Sequence, residues 1–318
     1  MATVSPNPSS LRFADIAVNL TDPMFQGIYH GKTRHDPDLD HVISRARSNG
    51  VSRMLITGTS LSESRAALDL AKKYADLHCT AGIHPTSTSE ISNHPSGPED
   101  YLSELRKLIA IDRGEEGAKR IISIGEIGLE DYDRLHHSPR ETQLRYLPKL
   151  LSWAKEFNLP LFLHSRSSEA HVDLMRILRE VGWDESWRGV VHSFTGTKEE
   201  MHELIEQGLY IGINGCALKL SQGLDVVREI PENRILLETD SPWCSITSTH
   251  ASYPFLPPTS AQLKKVNHKS WSADTGIKGR QEPSDLISIA HTVAKIRGVS
   301  LEYLARVCWE NAERLFYS

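Results

Sequence analysis

Four segments place an ionisable side chain directly behind a run of apolar residues. They are Ile124-Gly125-Glu126-Ile127-Gly128-Leu129, Leu161-Phe162-Leu163-His164-Ser165-Arg166, Val190-Val191-His192-Ser193-Phe194 and Leu237-Glu238-Thr239-Asp240-Ser241-Pro242-Trp243. An ionisable group behind an apolar run is costly unless it is paired, hydrogen-bonded or bound to a metal. Glu126, His164, His192 and Asp240 together offer two imidazoles and two carboxylates. That set suits a divalent cation: neutral imidazoles donate lone pairs, and carboxylates offset the ion's charge and can bridge two ions. Zinc, manganese and magnesium all remain open, with the imidazoles favouring zinc or manganese. His84, in Gly82-Ile83-His84-Pro85, is placed to bind phosphate or shuttle a proton, or else simply starts a loop. Arg166, two residues after His164, is suited to clamping a phosphate oxygen through two parallel bonds, or to a salt bridge at the rim. Asp15 and Asn19 flank the end of the first apolar run; Asp15 reads equally as a hydrogen-bond partner of a ligand or a neighbouring strand and as a buried acid satisfied by backbone donors.

These residues need a scaffold that brings strand ends together. Strand-like runs occur at 13–18, 53–57, 78–83, 120–125, 159–164, 189–192, 209–213 and 235–238. Between them, apolar residues recur at helical spacing over 37–49, 61–74, 101–111, 138–157, 169–181, 198–206 and 223–229, and two more helices follow at 283–297 and 300–316. Continuous apolar strands are buried on both faces, as in a parallel sheet, and their alternation with helices makes βαβ units. Eight such units predict one (β/α)8 TIM barrel spanning residues 1–318. A barrel of this kind carries its site at the C-terminal ends of the strands. A doubly wound sheet would instead want a glycine-rich turn after the first strand, and Asn19-Leu20-Thr21-Asp22-Pro23 stands there. The segment at about 241–282 lacks periodicity and reads as a long loop insertion following the eighth strand. Within it Lys264, Lys265, Lys269, Lys278 and Arg280 face a single acid, Asp274, so the segment is either a solvated loop or a local phosphate-binding patch.

The 318 residues carry a net charge of −5, which argues against coating duplex DNA by charge alone and leaves phosphate to be engaged locally. No apolar run approaches the roughly 18 to 20 residues of a membrane span. The first ten residues lack the basic and apolar regions of a secretory signal. Four scattered cysteines without a CxxC pair argue against a thiolate zinc site and suit a reducing cytosol or nucleus. Trp153 with Leu147, Leu150 and Leu151, and Trp309 with Leu304 and Leu315, read as packing faces, whereas His136 and His137 read as surface residues. Asn214, after the seventh strand, is a candidate substrate contact.

As an ordered set, the motifs resemble the TatD-type metal-dependent deoxyribonucleases of the amidohydrolase-like barrel superfamily. The matching pieces are Asp15–Thr21, Ile56–Thr59, Gly82–Pro85, Ile124–Leu129, Leu163–Arg166, Val191–Thr197, Tyr210–Gly212 and Glu238–Trp243. The resemblance implies Mg2+- or Mn2+-dependent cleavage of DNA, chiefly 3′-to-5′ exonucleolytic with endonuclease activity alongside, using one or two ions, with Zn2+ also accepted. The family's metal ligands carry onto Glu126, His164, His192 and Asp240, and His84 matches a further active-site histidine; taken with the reading of the residues themselves, catalysis falls to Asp240, Glu126 and His84, and substrate contacts to Arg166, His84 and Asn19. Many relatives carry a His-x-His pair on the first strand, where this chain has Ala17 and Asn19; a second ion would therefore be held loosely. The partner expected is DNA, as single strands or frayed ends, with no membrane and no obligate protein partner. The alternative on the same barrel is a metal-dependent hydrolase of small amides, lactones or aminoacyl esters.

Overall fold

The computed structural model describes residues 11–114, 119–132 and 138–318. His136 and His137 lie outside the described residues. Eight strands form one sheet: β1 Phe13–Val18, β2 Val51–Ile56, β3 Leu77–Ala81, β4 Ile121–Leu129, β5 Leu161–Ser165, β6 Gly189–Val191, β7 Tyr210–Ile213 and β8 Ile235–Leu237. Their spatial order is the sequence order, and β3 to β7 pair in parallel. Every residue of β1, β3, β4 and β7 is buried, which is why these strands read as continuous apolar runs rather than alternating ones. The chain following β8 returns to β1: Asp240 donates its backbone N–H to Ala17 O (2.9 Å) and Asn19 donates to Ser241 O (2.8 Å). The fold is a (β/α)8 barrel.

The residues group into two compact units. One holds the chain up to Met54 together with Ile213–Ala312; the other is Leu55–Gly212 with Glu313–Ser318. In the second unit, α1 (Arg140–Phe157) buries Trp153, Leu147, Leu150 and Leu151, the face its periodicity marked out. Helix α2 (Ser168–Glu180) starts where the Ser167 hydroxyl accepts from Ala170 N, and α3 (Lys198–Glu206) starts on a Thr197/Glu200 capping box. In the first unit, α4 (Leu301–Ala312) buries Leu304 and Cys308, while Trp309 lies half-buried under the Arg12 guanidinium, 4.0 Å from its ring.

The long segment after β8 is more ordered than its composition suggests. It carries a two-stranded parallel ladder, Lys265–Val266 against Gly276–Ile277, among short helical turns. Arg280 is fully buried and donates to both Asp38 oxygens (2.8 and 2.6 Å) and to Glu282 Oε1 (2.8 Å). Arg45 holds the other Glu282 oxygen at 2.9 Å, and the Trp271 indole donates to Asp38 at 3.1 Å. Lys265 pairs with Asp285 at 2.7 Å. Two of the five cations expected to form a phosphate patch are thus committed within the protein, because a cation in a folded loop finds buried acids that no local pattern reveals.

Candidate metal centre

Glu126 is supplied from within β4, not from beyond its end. The strand continues through Glu126 to Leu129 because glycines let it crowd β5: a Cβ on Gly125 would stand 2.3 Å from Phe162 O, and one on Gly128 would stand 2.0 Å from His164 O. The register between the two strands shifts across this stretch, and this close approach brings the Glu126 side chain to the imidazoles that follow. Glu126 Oε1 lies 2.7 Å from His164 Nδ1, 2.6 Å from His192 Nε2 and 3.4 Å from His84 Nε2. All but His84 are deeply buried. The Phe162 ring stacks on His192 with centroids 4.5 Å apart, fixing the imidazole's plane.

Burial alone would raise the pKa of Glu126. The charges of His192 and His84, together with hydrogen bonds from His164 and His192, instead hold its carboxyl well below the usual range. The donors of Glu126, His164 and His192 all lie within 4.8 Å of one another. Two nitrogens and one oxygen, gathered on a buried floor, fit a divalent cation. Donors about 2.1 Å from one ion sit roughly 3.0–3.4 Å apart, so the two Glu126–histidine separations would need to open by only about 0.3–0.8 Å to admit an ion.

A second group, His84, Glu130 and His164, satisfies the same spacing. Glu130 Oε2 lies 3.3 Å from His164 Nε2, so His164 faces one carboxylate with each ring nitrogen. Burial raises the Glu130 pKa, but His164, the Asp131 N–H and the charge of His84 lower it further, to about 2. The Glu130 backbone is fixed by donation to Gln143 Oε1 at 3.0 Å. Sequence reasoning missed Glu130. Its signal was the spacing of four from Glu126, which in an extended strand returns a side chain to the same face. His84 accepts the Thr86 N–H on Nδ1 at 3.2 Å. The other ring nitrogen, Nε2, is the one that faces Glu126.

Asp240 sits in the other unit, in the left-handed region with φ 54°. Asn19 donates its amide to Asp240 Oδ1 (3.0 Å) and to Ser241 O (3.2 Å), while the Cys244 thiol donates to Asp240 Oδ2 (3.3 Å). Asn19 therefore orients Asp240. Asp15 is buried and takes both the Thr239 N–H (2.9 Å) and the Thr239 hydroxyl (2.6 Å); burial pushes its pKa well up. Of its two readings, the structure selects the strand-to-strand tie. Asn214 donates to the buried Glu238 at 3.1 Å, which occupies the amide expected to face substrate. Arg166 is half-buried and reaches Ser193 O (3.2 Å), Ser193 Oγ (3.4 Å) and Thr195 Oγ1 (3.4 Å), bracing the turn after His192.

Residues 14–317 match the family model described as TatD related DNase. The chain is 44% identical to the Deoxyribonuclease Tat-D of Schizosaccharomyces pombe over 306 residues, covering 96% of each chain. It is 35% identical to the 3'-5' ssDNA/RNA exonuclease TatD of Citrobacter koseri, covering 95% of this chain and 98% of that one. A crystal structure of a TatD family hydrolase from Entamoeba histolytica superposes with a TM-score of 0.88 at 34% identity, over 97% of this chain and 99% of that one. With the barrel, the buried His/Glu centre and these similarities in hand, the chain belongs to the TatD-related DNase family of hydrolases.

Proposed function

We propose that the protein hydrolyses DNA phosphodiester bonds, removing nucleotides from 3′ ends of single strands or frayed duplexes, with internal cuts as a lesser activity. The observation that carries this reading is the buried donor group of Glu126, His164 and His192. The bacterial relative's name, a 3'-5' ssDNA/RNA exonuclease, supports the polarity and the strand preference. The cation is Mg2+ or Mn2+, with Zn2+ also suited to the imidazoles, in one or two copies. Glu126, His164 and His192 would hold it, with Asp240 as the further ligand that the family resemblance implies. A divalent cation bound there neutralises phosphate charge and lowers the pKa of a water.

The protein's own groups supply the rest. Asp240 accepts the proton of the attacking water, its two oxygens held by Asn19 and Cys244. A non-glycine residue in the left-handed region costs about 1–3 kcal/mol, and those bonds help to keep Asp240 there. His84 donates from Nε2 to a phosphate oxygen, and Arg166 offers its guanidinium to the next one. All four cysteines are free thiols, two of them buried, which suits a reducing compartment, cytosol or nucleus. Among the described residues, no helix is long and apolar enough to cross a membrane.

The test is degradation of a 5′-labelled single strand with Mg2+ by the wild type, His164→Ala and Asp240→Ala. Each variant is expected to lose about 100-fold or more in rate. Equal degradation by all three would mark a contaminant and end the assignment. A parallel panel of lactones and aminoacyl esters, turned over while DNA is untouched, would move the assignment to small esters.

A further inference from the structure

The segment after β8 encloses a cleft of about 660 Å³ that none of the site residues above lines. Its walls combine three lysines, Lys264, Lys265 and Lys278, with hydroxyl and amide side chains and with apolar Ile246, Leu256 and Leu263. Lys265 is committed to Asp285 and to Arg280 O. Lys264 and Lys278 are exposed, and among the described residues neither ammonium is held in an ion pair. Asp285, the acid in the lining, is the one that Lys265 neutralises, so the cleft keeps a surplus of two positive charges.

The cleft is tied to the strand end that carries Asp240. Gln281, in its wall, donates its backbone N–H to Pro242 O (2.9 Å) and accepts the Ser245 hydroxyl on its side-chain oxygen (3.0 Å). Ser245 is five residues from Asp240, so the cleft begins within about 18 Å of that carboxylate. Between them stands Trp243, half exposed at 50%. With half of its surface in water, the indole offers a face on which a flat ring can stack.

We propose that this cleft is a track for single-stranded nucleic acid, holding the part of the strand that is not being cut. Phosphates lie against Lys264 and Lys278, bases lie on the apolar wall, and one base stacks on Trp243. The pairing of cations that follow the backbone with an aromatic platform is the chemistry by which single strands are held without regard to sequence. On a chain of net charge −5, two uncommitted lysines in a cleft are where a polyanion can approach. The proposal rests on the nuclease reading, because it takes Asp240 as the cutting end of the track.

Binding of phosphorothioate-linked oligothymidylates, which resist cleavage, separates the two claims. Fluorescence anisotropy with the Mg2+-loaded protein is measured from a dinucleotide upward and across salt concentrations. For the wild type, affinity is expected to rise with strand length. In the Lys264→Gln/Lys278→Gln variant, affinity for the longest strand falls about tenfold or more and the salt slope drops by about 1 to 2. Trp243→Ala weakens long strands with the salt slope unchanged. Wild-type affinity and slope in the double-lysine variant would overturn the proposal, as would failure of the wild type to bind any strand. Tight, lysine-dependent binding without cleavage of ordinary DNA would uphold the track while removing the nuclease reading.

Discussion

Glu130 illustrates what a single buried carboxylate does to this protein. Its pKa is about 2 in the folded chain against an ordinary 4.5, because His164 and the Asp131 N–H outweigh burial. For a depressed carboxyl the sign is fixed: the stabilisation is complete above about pH 4.5 and disappears as pH falls towards 2. Glu126 is depressed in the same direction and adds to the effect. Denaturant melts of the metal-free protein across that window should therefore show the wild type losing more stability on acidification than Glu130→Gln. Parallel curves would mean that His164 does not hold Glu130. That His164 and His192 are ligand candidates was legible from their place behind apolar runs. That His164 faces two carboxylates, one on each nitrogen, was not, because ring orientation depends on neighbours from another strand.

At the scale of elements, the strands and helices follow their patterns to within a few residues, and the exceptions are instructive. The strand-like run at 120–125 extends in the structure through Leu129 as β4. Here the glycines serve close strand contact, a tertiary requirement that overrides propensity. The segment after β8 shows the same override. Its Pro- and Ser-rich composition reads as loop, but the buried Arg280 anchors it to Asp38 and Glu282. Arg280→Met would take the closest counter-ion from buried Asp38, leaving Glu282 to Arg45 alone, and should cost about 3–5 kcal/mol in urea unfolding. Exposed Lys278→Gln should stay within about 0.5 kcal/mol of wild type. Equal stability of the two variants would show that the Arg280 network contributes nothing to holding the segment.

For the whole molecule, a cation that binds only the folded chain must stabilise it by mass action. At a hundred times its dissociation constant the gain is about 2.7 kcal/mol, roughly a 5 °C rise in melting temperature for a chain of this size. Calorimetry with Mn2+ should show that rise in the wild type, its reversal by a chelator, and none in His192→Ala; a wild-type melting temperature indifferent to metal would refute the centre. The sequence by itself determined the barrel, since eight buried strands alternating with helices leave few other ways to cover both faces of a parallel sheet. It also determined the types of group that do the chemistry, since a titratable side chain behind an apolar run has to find a partner. Only the tertiary structure decided which partner each found: Thr239 for Asp15, Glu238 for Asn214, Asp38 for Arg280, and two carboxylates for His164. These pairings join residues far apart in the chain, and electrostatic and hydrogen-bond energies depend on separations in space that spacing along the chain does not contain.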